Sequence, residues 1–415
     1  MHKSGYRSAN HFRNITRISI ASFLVILHLF MLCCVPAFAE DTFSTPGLII
    51  EIGEKAGDLR FSWMTDEDGA YTLLLAPAPL VTNGIFPPES YRTSFVQTAD
   101  GIYTAYVVHL EENTEYSYRI VDGSGNIRSN IYSFYLPSRD SFTFLFLGDP
   151  QIRSYEAEAD GAMWANTMDN ALALYPQSAF VTVAGDLGDV AKKAEYLAFR
   201  SPESLKSIPV APNRGNHDAK SEYYDEQFSE PNANGCSYYF TYGDVLVVAL
   251  DSNIYKYHRH KEFLENAIAA ENKRWVIVTM HHSIYSVGEH ATGSTVTSMR
   301  PEYAAMFKEL NVDLVLSGHD HRYCRTYIMD GEDPTEKKVG IKQPGETLYI
   351  SSGSASGTKY YDLAKRVDSF KYVAYYLKNK EPVYTAIHVT NDRLFIVTHA
   401  AEGMRIIDTC VIEKE

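Results

Sequence analysis

The sequence predicts an all-β sandwich followed by a layered α/β domain, and three observations carry that expectation. Residues from about 46 to 138 form short alternating or aromatic runs with Asp-Gly turns between them and no helical period. After Pro137-Ser-Arg-Asp140, continuous apolar strands alternate with helical stretches. Runs that are apolar on both faces imply buried sheets flanked by helices, here a layered sandwich of two β-sheets. A chain of 415 residues that is 45% apolar and 22% charged is ordinary for a globular protein and long enough for two domains. A formal charge of −14 excludes a nucleic-acid-coating role, which needs a basic stripe.

The chain opens with Lys3, Arg7, Arg13 and Arg17 and no acid, then an apolar stretch from Ile18, then Ala37-Phe38-Ala39 before Glu40-Asp41. This order reads as a secretory signal peptide over residues 1–39, with an uncleaved membrane anchor as the alternative. Cleavage implies a secreted or envelope-associated protein with no stable membrane insertion. It leaves 34 basic and 52 acidic residues, a net charge of −18. Cys33 and Cys34 leave with the signal, and Cys236, Cys324 and Cys410 remain as expected buried thiols without a disulfide framework.

Residues 40–139 are expected to form the sandwich, on strands near Leu59–Trp63, Tyr71–Leu75, Tyr103–Val107 and Tyr116–Ile120. Trp63 and Tyr116 are expected in its core, and nothing in it carries chemistry. Residues 140–415 form the second domain, with strands at 142–147, 180–184, 207–212, 245–250, 275–279 and 312–316. Its helices are expected within 161–174, 259–272 and 301–310.

Five of those strand-like segments end in Asp, Asn or His. They lead into Asp149, Asp186, Asn216 with His217, His281 with His282, and His319 with His321. Ligands in open α/β sheets sit beyond the carboxyl ends of strands. Oxygen and imidazole groups gathered there suit hard-to-borderline metal ions. A single Gly-Asp or a lone His would be a turn or a structural hydrogen bond. All five in order are hard to explain structurally.

This ordered set, Asp149, Gly185-Asp186, Gly215-Asn-His217, His281 and Gly318-His-x-His321, resembles the signature of the calcineurin-like metallophosphoesterases. The first domain, with Trp63 and Leu110-x-x-Asn-Thr-Glu-Tyr116, resembles a fibronectin type III domain. Together with Tyr323-x-Arg325 they resemble the purple acid phosphatase type. The resemblance implies two metal ions (Fe, Mn or Zn) and a secreted phosphatase acting on small phosphate monoesters. It implies that Asp149, Asp186 and His321 hold the first metal, and that Asp186 bridges to a second held by Asn216, His281 and His319. It further implies a hydroxide between the metals that attacks phosphorus in line, His217 as general acid, and His290 as a phosphate contact. His282 and Asp251 are read as supporting groups.

Two positions depart from the pattern. Purple acid phosphatases carry a Tyr three residues after the bridging Asp, where this chain has Asp189, and general metallophosphoesterases carry Asp-x-His where it has Asp149-Pro-Gln151. Gln151 is therefore expected to ligate the first metal through its amide oxygen, with Asp189 either structural or just behind the ligands, and no purple colour is expected. Residues 220–236 and 285–300 are expected to wall the pocket. A phosphodiesterase on the same centre and a non-catalytic envelope-binding protein are the competing readings.

Overall fold

The computed structural model describes residues 45, 47–235 and 237–415. The signal-peptide reading, Cys33, Cys34 and Cys236 lie outside the described residues. Among the described residues no helix is long and apolar enough to cross a membrane.

The first eight strands are β1 (Ile49–Ile52), β2 (Leu59–Met64), β3 (Tyr71–Pro77), β4 (Tyr91–Ser94), β5 (Val96–Ala99), β6 (Ile102–Val107), β7 (Thr114–Asp122) and β8 (Tyr132–Leu136). Next come β9 (Phe142–Leu147), β10 (Val181–Val183), β11 (Pro209–Pro212), β12 (Tyr238–Tyr242), β13 (Val245–Leu250), β14 (Trp275–Met280), β15 (Leu314–Ser317) and β16 (Cys324–Thr326). Two short strands, β17 (Met329–Asp330) and β18 (Asp333–Pro334), are followed by β19 (Gly340–Ile341) and β20 (Glu346–Ser351). The last are β21 (Val373–Tyr376), β22 (Val383–Val389), β23 (Arg393–Ala400) and β24 (Ile406–Glu413). The α-helices are α1 (Ala157–Leu174), α2 (Lys193–Phe199), α3 (Tyr223–Gln227), α4 (Tyr257–Glu271) and α5 (Ser294–Glu309).

Among the described residues an 11-stranded sheet runs β19-β24-β23-β22-β9-β10-β11-β1-β2-β6-β5. A 9-stranded sheet is built on β12-β13-β14-β15-β20-β16-β21, and a 4-stranded sheet runs β4-β3-β7-β8. The fold is mixed α/β with large sheets. Strand alternation sets the layers. Phe142, Phe144 and Phe146 of β9 face inward onto Trp275 and Ile277 of β14 and Leu314 and Leu316 of β15. Leu145 and Leu147 point outward, to Trp164 and Met168 of α1 and Phe199 of α2. Val276 and Val278 of β14 point the other way, to Leu264 of α4 and Met299, Tyr303 and Phe307 of α5. Helices therefore cover the outer faces of both large sheets.

The region before Pro137 is joined to the rest by backbone pairing. Strand β1 lies parallel to β11, with Ile50 opposite Pro209. Its apolar residues, including Phe61, Trp63, Tyr71, Tyr116 and Tyr118, belong to the same buried cluster as the inner core of the two large sheets. Buried Arg200 adds polar ties across the junction, donating to Ser62 Oγ (2.8 Å) and Gly47 O.

Helix α5 begins seven residues before Pro301, where the sequence suggests a start. Pro301 sits inside the helix. Proline disfavours a helix interior because it lacks the N–H donor and crowds the preceding turn. Tertiary burial of Val296, Met299 and Tyr303 overrides that local preference.

Candidate metal centre

Strands β9, β10 and β11 are parallel neighbours, as are β14 and β15, so their carboxyl ends open on one edge. Asp149, Asp186, Asn216, His281 and His319 leave from those ends. Close approach there depends on glycine. A Cβ on Gly215 would stand 2.1 Å from both the Asp186 nitrogen and Oδ1, and one on Gly318 would stand 2.5 Å from Asp149 Oδ2. Gln151, Asp186, His319 and His321 all have positive φ (38°, 49°, 71° and 49°). That conformation is costly for residues with a side chain, and such strain collects where a site is over-determined by its surroundings.

Two groups of potential ligand atoms form, each within 4.8 Å: Asp149, Asp186 and His321 in one, Asp186, His281 and His319 in the other. Asp186 is common to both. Asn216 joins the second group through Oδ1, 2.9 Å from His281 Nε2. Gln151 and His217 lie at the side of Asp186: Gln151 N donates to Asp186 O (2.7 Å) and His217 N to Asp186 Oδ1 (2.7 Å).

The donor set fits cations. His281 Nδ1 donates to Ala184 O at 2.8 Å, so it is Nε2 that turns inward, as a lone pair once the ring gives up its second proton. That lone pair meets Asn216 Oδ1, Asp186 Oδ2 at 3.4 Å and His319 Nδ1 at 3.1 Å. His321 Nδ1 likewise donates to Lys359 O (2.8 Å), which leaves Nε2 buried and without a hydrogen bond. Gln151 Oε1 is a second buried orphan. Converging acceptors require a proton or a metal ion between them.

The electrostatics follow from the same crowding. Burial disfavours the charged forms throughout. At His281 this is outweighed by Asp186 and then Asp149, and the imidazole is held up to about 9. At Asp149 burial dominates and raises the carboxyl. Asp186 is desolvated too, but His281 and His217 hold it well below the usual carboxylate range. Burial followed by the neighbouring imidazoles pushes His319 down strongly, and burial followed by His281 takes His282 to about 3.

The remaining expected residues fall around this core. His217 Nδ1 lies 2.6 Å from Asp189 O and 2.7 Å from Lys220 Nζ, and Nε2 lies 4.0 Å from Asp186 Oδ2. His282 stands behind His319 with ring centroids 4.5 Å apart, and its Nδ1 is tied to Ser252 Oγ. His290 packs on His319 at 4.5 Å and edge-on to Tyr361 at 4.4 Å. Its proton affinity is raised by the hydrogen bond to Asp320. Asp251 accepts from Asn253 and pairs with Arg214 away from the ligand groups. Tyr323 and Arg325 both bind Asp408 on β24, with Arg325 bidentate at 2.6 and 3.0 Å. Cys324 and Cys410 are buried free thiols.

Three contributors are missing from the sequence reading. Buried Asp218 accepts from the backbone nitrogens of Leu187, Gly188 and Gly215 and from Tyr196 OH, bracing the two loops that carry Asp186 and Asn216. Asp320, between His319 and His321, accepts from both the nitrogen and Nδ1 of His290. Residues 352–361 add Tyr361 and the Lys359 carbonyl. Their signal is Ser351-Ser-Gly-Ser-Ala-Ser-Gly357, a small-residue turn after the buried parallel strand β20.

Residues 142–323 match the family model described as calcineurin-like phosphoesterase. Over that span the chain is similar to the calcineurin-like phosphoesterases, and this match supports a metal-dependent phosphoric ester hydrolase. More particularly, it is similar to purple acid phosphatase 5 of Arabidopsis thaliana, 25% identical over 317 residues that cover 70% of this chain and 74% of the relative. An uncharacterized protein of Mycobacterium tuberculosis is 24% identical over 365 residues, covering 75% of this chain and 67% of its own. In fold, the purple acid phosphatase PPD1 of yellow lupin (Lupinus luteus) seeds superposes with a TM-score of 0.72 at 17% identity. That match covers 89% of this chain and 74% of the lupin protein. A structure of PhoD gives 0.62 at 13% identity, covering 90% and 94%.

Proposed function

We propose that the chain hydrolyses phosphate monoesters at a two-cation centre. Asp149, Asp186, His321 and Gln151 would hold one ion, and Asp186, Asn216, His281 and His319 the other. The observation that carries this reading is the sharing of Asp186 by two ligand groups, with His321 Nε2 of the first buried and without a hydrogen bond. Cations held there would activate water and offset the charge of a bound phosphate.

The chain's own groups have distinct tasks. His217 is held at Nδ1 by the Asp189 carbonyl, so Nε2 is the atom that passes a proton to the leaving alkoxide. His290, fixed by Asp320 and raised in proton affinity by it, offers positive charge to a phosphate oxygen. Asp218 keeps the Asp186 and Asn216 loops in register. A secreted location for the mature protein rests on the basic, apolar and Ala-x-Ala order of residues 1–39. A fibronectin type III-like fold for residues 40–139 is supported by β1-β2-β6-β5 and β4-β3-β7-β8 sharing one core. It is also supported by Tyr116 OH accepting from Glu111 N at 2.8 Å, a corner hydrogen bond typical of such sandwiches.

The test is phosphate release from p-nitrophenyl phosphate by metal-loaded protein, with bis-p-nitrophenyl phosphate assayed beside it. Monoester turnover that disappears in H319A supports the reading. Turnover of the diester alone would replace it with a phosphodiesterase, and a wild-type protein that binds ions but turns over neither would replace it with a binding protein.

A further inference from the structure

We infer that Asp189 is a positioning residue: it fixes the amide of Gln151 so that Oε1 serves as a neutral oxygen ligand to the cation held by Asp149, Asp186 and His321. The inference rests on the two-cation reading above and goes beyond it by saying what orients the one amide in that set.

The backbone first brings the two residues together. Gln151 N donates to Asp186 O (2.7 Å), Ile152 N to Leu187 O (3.2 Å) and Asp189 N to Ile152 O (2.9 Å). Three bonds thus hold the loop after Asp149 against the loop after Asp186. Gln151 adopts φ +38° within this ladder, which a side-chain-bearing residue keeps only where its surroundings demand it.

The side chains then orient the amide. Gln151 Nε2 donates to Asp189 Oδ1 at 2.9 Å, and an ionised carboxylate can only accept. The second amide hydrogen faces His217 Nε2 at 3.1 Å. Reversing the amide would set Oε1 against a carboxylate. Oε1 is left buried with no hydrogen bond. An orphaned buried carbonyl of this kind costs about 1–3 kcal/mol unless something satisfies it, and a cation does. Asp189 thus stands one step behind the ion, where it sets the orientation of a weak ligand in place of supplying a strong one.

The experiment titrates the metal-free full-length protein with Mn²⁺ by calorimetry, with ion stoichiometry counted by elemental analysis and folding checked by circular dichroism. Wild type should take two ions. D189A should weaken one of them by about 10–100-fold, as loss of an orienting partner typically does. Q151A should weaken the same ion, and the double variant should lose no more than Q151A alone. D189N, whose side-chain oxygen can still accept from Nε2, should stay close to wild type. If D189A fails to fold, D189S, too short to reach Nε2, takes its place. Unchanged Mn²⁺ affinity in D189A would overturn the inference. So would losses from D189A and Q151A that add, or a D189A loss reproduced in full by H217A. A wild-type protein that takes fewer than two ions would instead overturn the two-cation reading itself.

Discussion

The sandwich-like region and the ligand loops use the same unusual backbone conformation for opposite ends. Before Pro137, left-handed φ falls on Asn83, His109 and Asn113, all exposed in connecting loops. In the ligand loops it falls on Gln151, Asp186 and His321, all buried, and on His319. Asn tolerates this conformation because its short side chain bonds locally. Gln has no such preference. A local turn preference accounts for Asn83 and Asn113, whereas the buried Gln151 and His321 are held by packing and by the polar groups that must meet. The contrast separates a region built for cohesion from one built to hold reactive groups against their own preference.

The largest effect that would sharpen this contrast is D186A. It removes the atoms common to both groups, and kcat/KM for p-nitrophenyl phosphate should fall by roughly 10³-fold or more, with both ions lost on elemental analysis. Retention of one ion at full occupancy would show that Asp186 is not shared. In the other region, W63A should lower unfolding free energy by about 3–5 kcal/mol in urea titration while Mn²⁺ affinity of the folded fraction is unchanged. Coupled loss of metal binding would break the division. G215A should fold and yet bind Mn²⁺ at least about tenfold more weakly, since its Cβ would displace Asp186. The smallest effect is H109G, which relieves an exposed left-handed residue. It should change stability by less than about 1 kcal/mol and leave turnover untouched.

Much of this was legible from sequence because strand ends punctuate it. The apolar runs before Gly148-Asp149, Gly185-Asp186 and Gly318-His319 announce both a buried strand and the polar residue that leaves it. Residues whose partners lie far along the chain were not legible. Asp218 is one residue past His217, yet its role depends on Leu187 and Gly188, about thirty positions earlier. Asp408 has no motif of its own, and only the meeting of β24 with β16 reveals it as the partner of Tyr323 and Arg325. Asp189 stands out in sequence as a missing Tyr. Its hydrogen bond to Gln151, which gives the exchange a purpose, crosses 38 residues. Helix α5 reaches back to Ser294, beyond the 301–310 stretch expected from sequence, because burial of Val296 and Met299 outweighs the local cost of Pro301.

The pairing of β1 with β11 has a consequence for dissecting the molecule. The sequence invites a cut near Asp140, but the cut would strip β1 and β2 from the sheet and leave the buried strand β11 as a bare edge. An uncovered apolar strand of this kind templates association with other chains. A catalytic fragment starting at Ser141 should therefore self-associate, and the strand it exposes is the one that leads directly to Asn216 and His217. The front of the chain acts less as an appendage than as the lateral seal of the reactive half.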